Sequence, residues 1–488
     1  MRYASIVSLA LACCQSASVL ACGGHKHGDR EWTEAELDEL ERKWGTEFGY
    51  TGIGSFAHLK HAKCLTTPSE HYDIAIIGAP FDTAVSYRPG ARFGPRAIRQ
   101  ASSRQTSFRG YNQRANINPY ANWATILDCG DIPVSPFDNA LALTQMTEAF
   151  AELGNRAPVS AQHLSRPKLI TLGGDHSLAL PALRALREYY GPGLRVLHFD
   201  AHLDTWHPEK YPSAEGLVSN SSSKPNVHAG LRTRLSGLDD YVDDDAQNWH
   251  RIVSDDMDDL GTRGVIDRIM DTLGTEDPVY LSLDIDVLDP AFAPGTGTPE
   301  PGGWTTRELI RVLRGIEGLN LVGADVVEVS PAYQGAGEET ALAAAQVVYE
   351  VLSSMVKKGA QTLGKDLLLN YKWSDFTVSC QGRAFPLHKS IICSRAKWFE
   401  ICCRCPHNGM IHNKVNLDTM DVGILEKFFG YLYTGEYDDG LQLECNPTYP
   451  PSLCELMGPC DRLSRIPGVS IWAENSQDLR AYQGTIRR

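Results

Sequence analysis

Leu197-His-Phe-Asp200-Ala-His202-Leu-Asp204 decides how this chain folds. An apolar run of strand length ends there in ionisable residues at every second position, and an extended chain would project Asp200, His202 and Asp204 to one side. Two other runs end alike, Thr171-Leu-Gly-Gly-Asp175-His176-Ser177 and Tyr280-Leu-Ser-Leu-Asp284-Ile-Asp286. Runs rich in Val, Ile, Leu and Tyr, each followed by a polar or helical stretch, predict the parallel strands of an α/β sheet. Ligands gather at the carboxyl ends of such strands, and the acids and histidines stand at those ends.

The charges suit two divalent cations. Asp200, Asp204, Asp284 and Asp286 bring four negative charges, and His176 and His202 add neutral nitrogen donors. Clustered carboxylates without cations repel one another, whereas carboxylates bridging two ions about 3.5–4 Å apart do not. The mixed oxygen and imidazole set favours manganese over a thiolate-seeking metal. One such Asp alone would read as the cap of the next helix, but six residues in one pattern across three strand ends point to metal.

Gly173-Gly-Asp-His-Ser177, Asp200-Ala-His-Leu-Asp204 and Ser282-Leu-Asp-Ile-Asp-Val-Leu-Asp-Pro290 resemble the three signatures of the ureohydrolases, the arginase and agmatinase family. The resemblance runs over about residues 78–351, through Ser86-Tyr-Arg-Pro-Gly-Ala-Arg-Phe-Gly-Pro95, Pro294-Gly-Thr-Gly-Thr-Pro299 and Asp325-Val-Val-Glu-Val-Ser-Pro331. It implies a three-layer α/β/α fold with a mostly parallel sheet, and two Mn2+ per chain. His176, Asp200, Asp204 and Asp284 would hold one ion, and Asp200, His202, Asp284 and Asp286 the other, with Asp200 and Asp284 bridging.

The implied reaction is hydrolysis of a guanidino compound to urea and an amine. A guanidinium is planar and delocalised and resists water, so a metal-bridging hydroxide is the expected nucleophile. Asp204 and Glu328 are the expected catalytic residues, with Glu328 pairing the guanidinium fork and orienting its carbon. The indole of Trp206 suits an aliphatic tail lacking a carboxylate, so agmatine, giving putrescine, is favoured, with guanidinobutyrate open. The resemblance also implies a His-Gly pair shortly after the second motif, where the histidine shuttles a proton to the leaving amine. Residues 204–220 read DTWHPEKYPSAEGLVSN and hold no such pair. His207 comes too early and His228 belongs to the later block His228-Ala-Gly-Leu-Arg232, so the shuttle is unassigned and slow turnover is expected.

Among 488 residues, 46 basic against 60 acidic give a net charge of −14, which argues against a nucleic-acid partner. The run Asp239-Asp-Tyr-Val-Asp-Asp-Asp245 is expected to be a solvated loop. Residues 1–21 read as a secretory signal peptide, with Asn220-Ser221-Ser222 a glycosylation sequon, so the chain is expected to be secreted. Residues 22–71 form an N-terminal extension with a helix near 32–44, and 72–358 the catalytic domain. No run is long enough to span a membrane. Homo-oligomerisation is expected from the resemblance.

Beyond residue 358 the texture changes, and eight of the thirteen cysteines fall from Cys380 to Cys460. Ser374-Asp-Phe-Thr-Val-Ser-Cys380, Phe385-Pro-Leu-His-Lys389, Ser394-Arg-Ala-Lys-Trp-Phe399 and Leu432-Tyr-Thr-Gly-Glu-Tyr437 resemble the BTB (POZ) domain, a small α+β module over 359–440 that mediates protein association. Phe376, Val378 and Cys380 predict a strand, and 391–401 and 424–433 helices. Residues 441–488 hold only an incomplete end of that module, which would leave Phe428, Phe429 and Leu432 poorly covered. The alternative reading of the whole chain is an impaired hydrolase joined to an interaction module, and the hydrolase part is expected to fold without the remainder.

Overall fold

The computed structural model describes residues 33–45, 48–205, 224–371, 373–404 and 413–435. The expected leader at 1–21, the stretch holding Trp206, His207 and the sequon, and the tail 441–488 lie outside the described residues. Residues 34–44 form a helix by themselves, Glu34–Trp44, opened by a reciprocal cap in which Thr33 Oγ1 accepts from Glu36 N and Glu36 Oε2 accepts from Thr33 N.

Eight parallel strands make the main sheet: β1 Ile74–Ala79, β2 Ile126–Asp131, β3 Lys168–Gly173, β4 Arg195–Phe199, β5 Asn226–Leu231, β6 Trp249–Val253, β7 Pro278–Asp284 and β8 Asn320–Val327. Their order is β2-β1-β3-β8-β7-β4-β5-β6. Period-2 alternation divides strands such as β1 between two cores. Ile74 and Ile76 face helices carrying Ile98, Val348 and Leu352, while Ala75 and Ile77 face Met146, Phe150 and Leu183. The result is the expected α/β/α arrangement, with both faces of the sheet covered. The motif-bearing strands β3, β8, β7 and β4 are neighbours at the centre, so their carboxyl ends open at one place.

Several expectations are corrected. Asp200, His202 and Asp204 do not continue a strand, because β4 ends at Phe199 and Asp204 takes a left-handed φ of 52°. Asp286 likewise sits on the one-turn helix Ile285–Val287 rather than on β7. The acidic run is not a loop but the helix Asp239–Ala246, with Asp240 and Asp244 buried on its inner face. Cys64 and Cys129 form a disulfide that ties the segment before β1 to β2.

The long helix Glu339–Asn370 crosses the expected boundary at 358/359 without a break. Its middle docks on the hydrolase part, where Trp123 Nε1 donates to Val356 O at 2.9 Å and the Trp123 ring fills the space left by Gly359. Its end meets a second sheet of β9 Phe376–Cys380, β10 Arg383–Leu387 and β11 Lys414–Asn416, ordered β10-β9-β11 with one antiparallel and one parallel pairing. Phe428, Phe429 and Leu432, on the helix Val422–Thr434, are buried rather than poorly covered. Leu367 and Leu368 of the long helix pack on that core, and at Gly364 a Cβ would lie 2.1 Å from Tyr433 O. The helix expected over 391–401 is two, Lys389–Arg395 and Lys397–Arg404, separated by the extended residue Ala396. Among the described residues no helix is long and apolar enough to cross a membrane.

Candidate metal centre and active site

The turns after β3, β4 and β7 bring the expected ligands together. His176 Nδ1 lies 3.0 Å from Asp200 Oδ2 and 3.4 Å from both Asp204 Oδ2 and Asp284 Oδ2. His202 Nδ1 lies 3.2 Å from Asp200 Oδ1 and 3.0 Å from Asp286 Oδ2. The two oxygens of Asp200 thus face two separate histidines, as a bridging ligand requires. The backbone sets these positions: Ala201 N donates to Asp286 Oδ1, Asp286 N to Asp284 Oδ1, and His202 N to Asp200 Oδ1.

The electrostatics call for cations. Burial, then the Asp286 and Asp200 charges, hold the Asp284 carboxyl well above the usual carboxylate range. Burial and Asp200 raise Asp286 as well. Against burial, Asp286 and Asp200 push His202 up to about 12, and the surrounding carboxylates raise His176. Without another positive charge the cluster must hold protons on its histidines. His176 Nδ1 and Asp200 Oδ2 are buried and make no hydrogen bond despite their proximity, so both remain available to an ion. Divalent cations fit this donor set.

Beside the cluster, Glu328 follows β8 with a left-handed φ of 61° and accepts from His176 N at 3.0 Å. Burial, reinforced by the Asp175 charge, pushes its carboxyl up to about 8. A buried acid of this kind ionises readily only against a cation, and a guanidinium is one. Trp206, expected beside a substrate tail, lies outside the described residues.

The structure adds supporting residues that the sequence reading passed over. His176 Nε2 donates to Ser282 Oγ at 2.8 Å, and Ser282 Oγ donates to Asp325 Oδ1 at 2.8 Å, which holds the ring with Nδ1 turned to the acids. Tyr280 OH donates to the other Asp325 oxygen. His198, fully buried, places Nε2 3.0 Å from Asp200 Oδ2 and joins His176 and Asp200 as a further group able to face one ion. Burial lowers its pKa to about 4. Its signal was present: His198 stands two residues before Asp200 in the same alternation.

A cluster of histidines and shared carboxylates able to hold metal ions, at the carboxyl ends of central parallel strands with a buried acid alongside, marks a hydrolase of the α/β class. The arginase-family model matches residues 72–353 and the BTB/POZ domain model residues 365–446. The chain belongs to the arginase family, and within it is an agmatinase-like hydrolase acting on C–N bonds of linear amidines. It is 48% identical over 334 residues to putative agmatinase 1 of Schizosaccharomyces pombe, covering 63% of this chain and 83% of the relative. It is 35% identical over 302 residues to the human mitochondrial guanidino acid hydrolase, covering 60% and 80%. The solved proclavaminate amidinohydrolase of Streptomyces clavuligerus superposes with a TM-score of 0.54 at 35% identity, covering 64% of this chain and 99% of that one.

Proposed function

We propose that this chain is a manganese-dependent amidinohydrolase that cleaves a guanidino compound to urea and an amine, with agmatine the leading substrate. The observation that carries this is the convergence of His176, Asp200, Asp204 and Asp284 on one side, and Asp200, His202 and Asp286 on the other, beside buried Glu328. In this reading Asp284 completes the second set, and the oxygen-rich donors select manganese. When bound, two divalent ions polarise water into a nucleophile at neutral pH.

The chain's own residues do the rest. Glu328 takes the guanidinium as its counter-charge and fixes the plane of the fork, so the carbon is presented to the attacking water. Asp204, whose side chain is 26% exposed against 0% for Asp200 and Asp286 and 4% for Asp284, is the carboxylate placed to accept the water's proton. Collapse of the tetrahedral adduct breaks the C–N bond, and the amine leaves with a proton. One relative, at 35% identity, is a guanidino acid hydrolase, which makes guanidino acids the second substrate class behind the agmatine favoured by the names of relatives at 45–48% identity. We also take the chain to be secreted as a homo-oligomer with a protein partner at its BTB part. The Cys64–Cys129 disulfide supports an oxidising compartment.

Urea release from purified protein given manganese and a panel of agmatine, guanidinobutyrate, other guanidino acids and arginine tests the reading. Agmatine is expected to give the highest kcat/KM. Absence of urea from every compound, with two metals bound, would remove the enzymatic reading.

A further inference from the structure

Three strands beyond the metal cluster carry a buried polar ladder. β4 pairs with β5 so that His198 sits opposite His228, and β5 pairs with β6 so that His228 sits opposite Arg251. His198 Nδ1 and His228 Nδ1 share a hydrogen bond of 2.8 Å. His228 Nε2 lies 3.0 Å from Asp244 Oδ1, and Arg251 Nη1 donates to Asp244 Oδ2 at 2.6 Å. Thr205, directly after the ligand turn, donates its hydroxyl to Asp244 Oδ1 at 2.8 Å. His198, His228 and Asp244 are all 0% exposed, and Trp249 stacks on His228 with ring centres 3.9 Å apart. The inner end of this ladder is the ring that faces Asp200.

We propose that His228 and Asp244 are positioning residues for the metal centre, holding His198 against Asp200 and the ligand turn 200–205 against helix Asp239–Ala246. This rests on Asp200 being a metal ligand, as proposed above. The proton count shows how the ring is set. With both rings neutral, His228 donates from Nε2 to Asp244 and His198 donates from Nδ1 to His228, and His198 Nε2 then turns a lone pair to the ion position. The plane of the His198 ring is thereby imposed through His228 of the neighbouring strand from Asp244 on the helix Asp239–Ala246. An imidazole so fixed keeps the bridging carboxylate from turning toward other partners, and loss of such outer partners weakens metal binding about 10–100-fold.

The test is manganese affinity of the full chain. His228→Phe keeps the ring stacked on Trp249 and removes both hydrogen bonds; Asp244→Asn keeps the shape of the outer link and removes its charge. The readouts are the manganese dissociation constant and the rise in melting temperature between chelator and saturating manganese, in which a fold defect common to both states cancels. His228→Phe should bind manganese about 10–100-fold more weakly, with a smaller manganese-induced rise, and Asp244→Asn several-fold more weakly. If His228→Phe does not fold, Asp244→Asn decides. Folded variants that bind within twofold of wild type overturn the positioning role alone. A wild-type chain that takes up no manganese overturns the metal centre and, with it, this role.

Discussion

Replacing Cys64 and Cys129 together by alanine should destabilise the hydrolase part by about 4 kcal/mol. The bond spans a sequence separation of 65 residues, a loop that contains β1 and the helix Gly94–Ala101. The chain-entropy relation for a loop of that length gives about 14 cal/mol/K, or about 4 kcal/mol at 25 °C. Both sulfurs lie in the core shared by Tyr72, Ala75 and Leu127, so alanine also leaves a small void. Reducing the wild-type bond tests the loop contribution without that void. Melting followed by tryptophan fluorescence, with and without reductant, should show the wild type falling by about 8–16 °C on reduction. The double variant should melt with the reduced wild type, or slightly below it, and ignore the reductant. Peptide mapping under non-reducing conditions establishes whether the bond forms. A wild type with the bond intact that melts within about 3 °C of the double variant would refute loop closure as the source of the stability.

In the proposed centre Asp284→Asn would remove one negative charge shared by two ions, so metal analysis after dialysis should find fewer than two manganese ions per chain, while Asp82→Asn, whose carboxylate serves Gly90 N and Arg92, should stay fully loaded. Two ions retained at unchanged affinity in Asp284→Asn would overturn the ligand assignment. Gly364→Ala would put a methyl against Tyr433 O, and overpacking of this kind costs about 1–3 kcal/mol. Limited proteolysis should then cut the BTB part sooner while urea release persists, and unchanged proteolysis would show that the helix end is not what covers that module. Lys168 is buried, and desolvation, then Lys358, lowers its pKa from 10.5 to about 8. Between those values the unfolded chain holds more protons than the folded one, so wild-type stability should rise with pH from about 8 to about 10.5. Below that window the folded state carries a buried charge at a penalty of about 3 kcal/mol. Lys168→Met should therefore be more stable at pH 7 and lose the alkaline rise; denaturant midpoints at pH 7 and 10 check both.

The residues of the candidate metal cluster were legible because each stands within five residues of a strand end in its own segment, and local spacing is what a sequence displays. The ladder behind them was not, because His198, His228 and Arg251 meet only through the order β4-β5-β6, which pairing and not spacing decides. His198 shared the alternation of Asp200 but read as part of an apolar strand. The run Asp239-Asp-Tyr-Val-Asp-Asp-Asp245 misled in the opposite way: its charge density suggests solvent, yet Asp240 and Asp244, four residues apart, share one helical face, where Asp240 accepts from Ser236 N and Asp244 from Thr205, His228 and Arg251. At the junction, Gly359 and Gly364 stand in the stretch where the texture of the sequence changes. In the structure they are places where an unbroken helix packs tightly on its neighbours, Trp123 on the hydrolase side and the Tyr433 carbonyl on the other. A glycine chosen for close approach looks, in sequence, like a glycine chosen for flexibility. The change of composition there marks a change of packing partner while the backbone runs on, so a cut at 358 would remove Gly359, whose carbonyl meets His163 of the hydrolase part, together with Leu367 and Leu368, which cover the BTB core.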